Sequence, residues 1–376
     1  MKKKYDLEKF LDSIYIQAHS HDSVKTYRNG IKKLERYLHD KHDTNLEGMV
    51  SSIKDGKQDV YEFLRDFVIH LDKSKMKAST VAIIVAAVKS YLRFCGIKIY
   101  NEDFKQMVKM PRRLRPVEMP LTKEIISNLL RQVSFKMQTC IIFCVASGVR
   151  IGELVQIKIT DIDFDMTPTR IRIRAETTKT GESRETFLTH EATEYLKNYL
   201  KRYFEWNEDK PNPRMENVYL FGRTSISKVG IRKPDSQLKI HPITANKILL
   251  QKTLEDYLKK SPDLNMKVNG NRYAIHFHNF RKFFRTTVGN NIGRDFAEAL
   301  IGHRFYMDTY YTIPDEKKRQ MYLEAEPHLT ISNFENVEKN LKMMADKHAN
   351  LENKVNELME YIRSNSIEIP GFFKNN

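Results

Sequence analysis

Five short stretches of this chain carry side chains able to hold and attack a phosphate. The first is SGVRIGEL, with Arg150 and, three residues on, Glu153. An arginine presents a planar fork to two phosphate oxygens, and a carboxylate one helical turn away can hold that fork in place. HNFR places His278 and Arg281 one turn apart on an expected helix, so that both side chains face the same way. Lys179 sits at the tip of an expected hairpin, TTKTG, where a mobile ammonium can reach a groove or a departing oxygen. Gly302-His303 adds an imidazole, and Tyr310 and Tyr311 follow with two phenols. Singly, each has an ordinary reading as a surface ion pair, a solvated lysine or a packing aromatic. Together they supply donors for an anionic centre and a nucleophile to attack it.

These residues need elements to position them. Up to residue 108 the apolar spacing is helical: Val24, Tyr27, Ile31, Leu34 and Leu38 recur at three and four after Ser23, a candidate N-cap. STVAIIVAAVKSYLRFCG repeats the pattern, with Ser79 as candidate cap and Gly96 as stop. Residues 1–108 therefore read as a helical domain. KMPRRLRPVEMP, residues 109–120, carries three prolines and four basic residues, which suits an extended connector whose Arg112, Arg113 and Arg115 can touch phosphates.

From residue 121 to 330 helices and strands mix. Ile171 and Ile173 alternate with Arg170, Arg172 and Arg174, as in a strand, before a return at Thr180-Gly181. Helical patterns resume through ITANKILLQKTLEDYL and FHNFRKFFRTTVGNNI. Over 331–365 the grammar changes: Phe334, Val337, Leu341, Met344, His348, Leu351, Val355, Leu358 and Ile362 keep a three-four alternation for about four heptads. So narrow a stripe predicts a coiled-coil helix and self-association, with His348 at an a position. Residues 366–376 are a short tail. The predicted fold class is mainly α with a small β-sheet.

Composition narrows the function classes. In 376 residues, Lys and Arg number 64 against 48 acidic residues, a formal charge of +16 with a pI near 9.4. Such a field draws polyanions, of which nucleic acid is the commonest soluble one. Three cysteines, Cys95, Cys140 and Cys144, argue against a secreted disulfide framework, and no zinc-binding spacing occurs. The start, MKKKYDLEKF, has no apolar signal region, and no run of about 18 apolar residues occurs. A cytoplasmic, nucleoid-associated protein with no membrane partner is expected.

The ordered string of Arg-x-x-Glu, hairpin Lys, His-x-x-Arg, Gly-His and Tyr resembles the tyrosine recombinase, or phage integrase-like, family over about Leu121 to Leu329. YYTIPDEKKRQMYLEAEPHLTI looks most like archaeal members. The resemblance implies a helical core-binding domain at the N-terminus, an α+β catalytic domain and a site-specific DNA recombinase. In such an enzyme Arg150 and Arg281 would hold the non-bridging oxygens, with hydrogen bonds from His278 and His303. Tyr311 would attack the phosphorus, and Lys179 would protonate the departing 5′-hydroxyl. The product would be a 3′-phosphotyrosyl link, with no metal, ATP or other cofactor, and recombination would need a tetramer on two double-stranded DNA duplexes.

The match has departures. In the family the nucleophile usually lies nine residues after the histidine, often before a threonine; here Tyr311 is eight after His303, Tyr310 seven, and Thr312 follows Tyr311. Tyr310 therefore stays an alternative. Lys282 stands where many members have a second histidine, and the position of the hairpin lysine varies across the family. Two other readings compete. His276-Phe277-His278 is a His-hydrophobe-His triplet like that of metal-dependent tyrosine nickases, whose histidines lie on a strand, and a DNA-binding architectural protein without catalysis would share the basic surface.

Overall fold

The computed structural model describes residues 6–113, 119–204, 206, 218–221, 242–268, 272–303 and 313–331, together with 351, 354 and 355. Arg115, Tyr310, Tyr311 and all of the expected heptad seam except Leu351 and Val355 lie outside them. The chain divides into two compact units, Met1–Val117 and Glu118–Asn376.

The described part of the first unit is helical: α1 (Leu7–Ala18), α2 (His21–His42), α3 (Leu46–Lys54), α4 (Val60–Lys73), α5 (Ala78–Phe94) and α6 (Asn101–Met107). Each long helix turns one stripe inward, so that Phe10, Leu34, Leu38, Leu64, Phe67, Val88, Tyr91 and Leu92 share one core. Two caps differ from expectation. Ser20, one turn before Ser23, caps α2 and accepts the Ser23 N–H at 3.3 Å. Ser79 lies inside α5, which starts at Ala78 with no side-chain cap. Arg112 and Arg113, just beyond α6, are exposed.

In the second unit the described elements begin with α7 (Lys123–Gln132), α8 (Phe135–Ser147) and the one-turn α9 (Ile151–Leu154). A three-stranded antiparallel sheet follows in the order β1 (Ile162–Asp163), β2 (Arg170–Ile173), β3 (Arg184–Phe187). Then come α10 (His190–Phe204), α11 (Pro242–Lys260), the pair β4 (Lys267–Val268) and β5 (Arg272–Tyr273), α12 (Phe277–Asn291), α13 (Arg294–Ile301) and α14 (Asp315–Leu329).

Helix α8 is the hub. Every residue from Thr139 to Ser147 is buried, Cys140 and Cys144 among them, because α10, α12 and α14 all pack on it. A helix apolar all round can only sit inside a unit. Helix α14 is pinned to this hub: the buried Tyr322 hydroxyl donates to the Ala146 carbonyl at 2.7 Å, and Lys123 Nζ donates to the Pro327 carbonyl at 2.9 Å. Just beyond α14, the Ile331 N–H donates to Glu191 Oε2 at 2.7 Å. Leu351 and Val355, both at expected seam positions, are exposed on the single chain. No helix among the described residues is long and apolar enough to cross a membrane.

Candidate active site

The site is assembled where α8 ends. Gly148 adopts φ +65°, and a Cβ there would lie 2.4 Å from Phe284 Cδ1 on α12 and 2.9 Å from Ile301 Cγ2 on α13. Only glycine fits both the left-handed backbone and that close approach. The turn leaves the Gly148 carbonyl facing α12, where Arg281 Nη1 donates to it at 2.7 Å, while Nη2 donates to the Ile301 carbonyl at 2.5 Å. Arg281 is 2 % exposed, one of the largest fully buried side chains in the protein.

Two residues beyond Gly148, Arg150 caps α9, and Glu153 in that turn is buried beneath it. Glu153 Oε2 accepts the Arg150 backbone N–H at 2.8 Å, and Oε1 accepts Arg150 Nη1 at 2.8 Å. A third arginine joins from the first position of β3. Arg184 donates Nη1 to Glu153 Oε1 at 3.1 Å, Nη2 to Oε2 at 2.6 Å and Nε to the Leu300 carbonyl at 2.9 Å. Its side chain also crosses the space beside Gly302, where a Cβ would meet Arg184 Cδ at 2.7 Å. Arg281 Nη1 lies 4.0 Å from Glu153 Oε2.

One carboxylate thus faces three guanidinium groups, leaving positive charge in excess. Burial would raise the Glu153 carboxyl, but the bonds and charges of Arg184 and Arg150 hold it below the ordinary carboxylate value. Burial, with Arg150 close by, pushes Arg281 down to about 9. A cation so disfavoured gains from any anion that enters beside it. Arg150 is the more open of the two family-matched arginines, with its side chain 26 % exposed.

His303 follows the left-handed Gly302 at the end of α13, and its side chain is 42 % exposed. Burial, with Arg281 and Arg150 nearby, lowers its imidazole, and Glu298 opposes them. His303 Nδ1 lies 2.8 Å from Glu298 Oε2, and Arg285 binds the other oxygen of that carboxylate, with Nε at 2.6 Å. The structure therefore brings Arg150, Glu153, Arg281 and His303 together and adds Arg184 and Glu298.

His278 and Arg281, one turn apart on α12, differ in burial. His278 is exposed in the first turn of α12, whereas Arg281 is drawn inward by the Gly148 and Ile301 carbonyls and by Glu153. Lys179 is exposed in the turn between β2 and β3, with no ion pair or hydrogen bond among the described residues. Tyr310 and Tyr311 precede Ile313, which packs against the core.

Arg184 escaped the sequence reading because of register. A tight return centred on Thr180-Gly181 sets Ile173 against Leu188, but the chain spends Ala175–Thr177 in a 3₁₀ turn and pairs Ile173 with Arg184. Cross-strand partners share a face, so Arg184 joins the buried side of Ile173. The triplet of the rival reading straddles a helix start. His276 is the extended N-cap of α12, and Phe277 and His278 are already helical. Burial, with Arg272 close by, pushes the His276 imidazole down to about 4.

A profile of the phage integrase family matches residues 113–315, more than half of the chain. This chain belongs to the phage integrase family. It is a tyrosine-type site-specific recombinase by that membership. A second profile, the phage integrase N-terminal SAM-like domain, matches residues 7–95. A tyrosine recombinase of Thermosipho africanus is 23 % identical over 249 residues, 63 % of this chain and 81 % of the relative. Among solved structures, a lambda integrase dimer bound to a COC′ core site superposes with TM-score 0.52 at 16 % identity, covering 82 % of this chain and 99 % of the other. A lambda integrase tetramer bound to a Holliday junction gives 0.53 at 15 % identity, covering 81 % and 75 %. These likenesses establish the fold, mostly helical with small antiparallel sheets.

Proposed function

We propose that this recombinase cleaves and rejoins DNA strands through a covalent link between Tyr311 and a 3′-phosphate. The observation that carries the reading is the single buried Glu153 surrounded by Arg150, Arg184 and Arg281, which leaves positive charge in excess beside His303. A phosphodiester resists attack because it is anionic, and its pentacovalent transition state gathers further negative charge. Preorganised donors aimed at those oxygens each contribute about 10²–10³ in rate.

The Tyr311 oxygen attacks phosphorus, the bond to the 5′-oxygen breaks, and that oxygen leaves as a hydroxyl with a proton from Lys179. Arg150 and Arg281 hold the non-bridging oxygens, and His303 and His278 add hydrogen bonds. A phenol of ordinary pKa about 10 needs neighbouring positive charge to shed its proton at neutral pH, and His278 takes that proton as base. Attack by a second 5′-hydroxyl on the phosphotyrosyl bond reverses the step. Bond energy is conserved, and neither metal nor ATP enters the scheme.

Assembly follows from the same chemistry, since exchange between two duplexes takes four copies. The lambda integrase relative forms a tetramer on a Holliday junction, and the seam containing the exposed Leu351 and Val355 gives this chain a further surface for self-association. Exposed Arg112 and Arg113, with Arg115, would bind phosphates of double-stranded DNA, placing the protein on the nucleoid.

The test is a trapped adduct. DNA from the gene's own neighbourhood, nicked so that the cleaved 5′-hydroxyl end diffuses away, should accumulate a protein–DNA covalent complex whose peptide map marks Tyr311. An adduct at another residue, or none with any such DNA, removes the reading.

A further inference from the structure

The carboxylate beside His303 is held with unusual specificity. Helix α13 closes as a Schellman motif, in which the Gly302 N–H donates to the Ala299 carbonyl and the His303 N–H to the Glu298 carbonyl, both at 3.1 Å. That motif sets the residue after the glycine over the residue five positions back, a contact usually made by two apolar side chains. Here the two are an imidazole and a carboxylate, with His303 Nδ1 2.8 Å from Glu298 Oε2. Glu298 is 5 % exposed, and its Oε1 accepts Arg285 Nε at 2.6 Å and also Arg285 Nη2. A carboxylate fixed this way keeps a hydrogen on Nδ1 and turns Nε2 outward.

We propose that Glu298, set by Arg285, is a positioning residue: it fixes the His303 tautomer and lets that imidazole hold a second proton when a phosphodiester enters. The inference rests on reading the arginine cluster as a phosphate site. With Nδ1–H donated to Glu298, a neutral His303 offers only a lone pair at Nε2, which repels a phosphate oxygen. It becomes a donor when Nε2 is protonated.

Among the described residues, four charged groups bear on that step. Glu298 from α13 favours the second proton, while Arg281 from α12 and Arg150 at the start of α9 oppose it. Arg285, also on α12, acts through Glu298 by sharing its carboxylate. An entering phosphate neutralises Arg281 and Arg150 and leaves the pull of Glu298 unopposed. His303 then takes a proton from solvent and presents Nε2–H to the oxygen.

The experiment is an NMR titration of carbon-13-labelled histidine in the full chain, with His303 identified by its loss in His303→Asn. Glu298→Gln keeps an acceptor for Nδ1–H but removes the charge, so His303 should titrate at lower pH than in wild type. Arg285→Met removes the competing cation and should move it to higher pH. Opposite displacements are a signature that loosened packing does not produce. In single-turnover adduct formation near pH 8, Glu298→Gln should be slower than wild type by less than the about 10²–10³ of losing a donor outright. The deficit should shrink as pH falls. A His303 midpoint unchanged in both variants, or moved the same way in both, overturns the proposal. The titration uses DNA-free protein, so wild type that forms no adduct sinks the recombination chemistry while the Glu298–His303 coupling is still decided.

Discussion

Arg281 donates to the Gly148 carbonyl across 133 residues of chain, and the same guanidinium bonds the carbonyl that ends α13. One side chain therefore joins the end of α8 to the end of α13, the two points from which Arg150 and His303 depart. It is a brace and, on the proposed chemistry, an anion donor as well, with Glu153 4.0 Å away.

Removing this group should cost both stability and chemistry. Arg281→Ala leaves two buried carbonyls without their donor and should lower unfolding free energy by about 3–5 kcal/mol. Arg281→Lys restores a charge without the fork, so it should recover part of the urea midpoint. Adduct formation should stay about 10²–10³ below wild type. Equal recovery of stability and rate by lysine would show that the fork does not matter.

Glu153 sets an acid limit on folding. Its folded carboxyl titrates below the ordinary 4.5, so the stability it contributes is complete above about pH 5 and is lost as pH falls through the folded value. The urea midpoint of wild type should fall over that range. Glu153→Gln should be less stable at pH 7 by about 3–5 kcal/mol and show a flatter acid slope, because the anion that balances three arginines has gone. Parallel slopes for the two proteins would assign the acid loss to other carboxylates.

The nucleophile assignment has a direct check. Tyr311→Phe should bind DNA as wild type does and form no adduct, while Tyr310→Phe should still form one. Both results should be the same in EDTA. Activity that vanishes with chelation would favour the metal-dependent His-hydrophobe-His chemistry instead.

The heptad tail should act in assembly rather than folding. A chain ending after Ile331 keeps the bond from that residue to Glu191, and it should hold the thermal midpoint of the full chain. Its sedimentation coefficient should report a smaller oligomer. An unchanged oligomer would leave the seam without a role in association.

What the sequence revealed follows from how far apart the partners lie. Arg150 and Glu153 were legible because both sit in one helical turn, where spacing alone implies contact. Arg184 was hidden because its placement depends on how many residues a turn consumes, and Ala175–Thr177 shift the ladder away from a tight return. Ser20 and Ser23 are both good caps one turn apart, and local pattern does not choose between them. The difference in burial between His278 and Arg281 has another origin. Helical spacing gives the direction of Cβ, but two carbonyl acceptors and a carboxylate from distant segments decide where a long guanidinium ends. Glu298 gave no sign at all, since its meeting with His303 is made by the Schellman turn.

The anchoring of α14 has a mechanical side. Tyr322, Lys123 and Ile331 fasten this helix to α8, to the start of α7 and to α10. On the proposed chemistry a DNA end joined to Tyr311 would be attached two residues before Ile313, which packs against the core. The helices that hold α14 are then what would resist a pull on the severed strand.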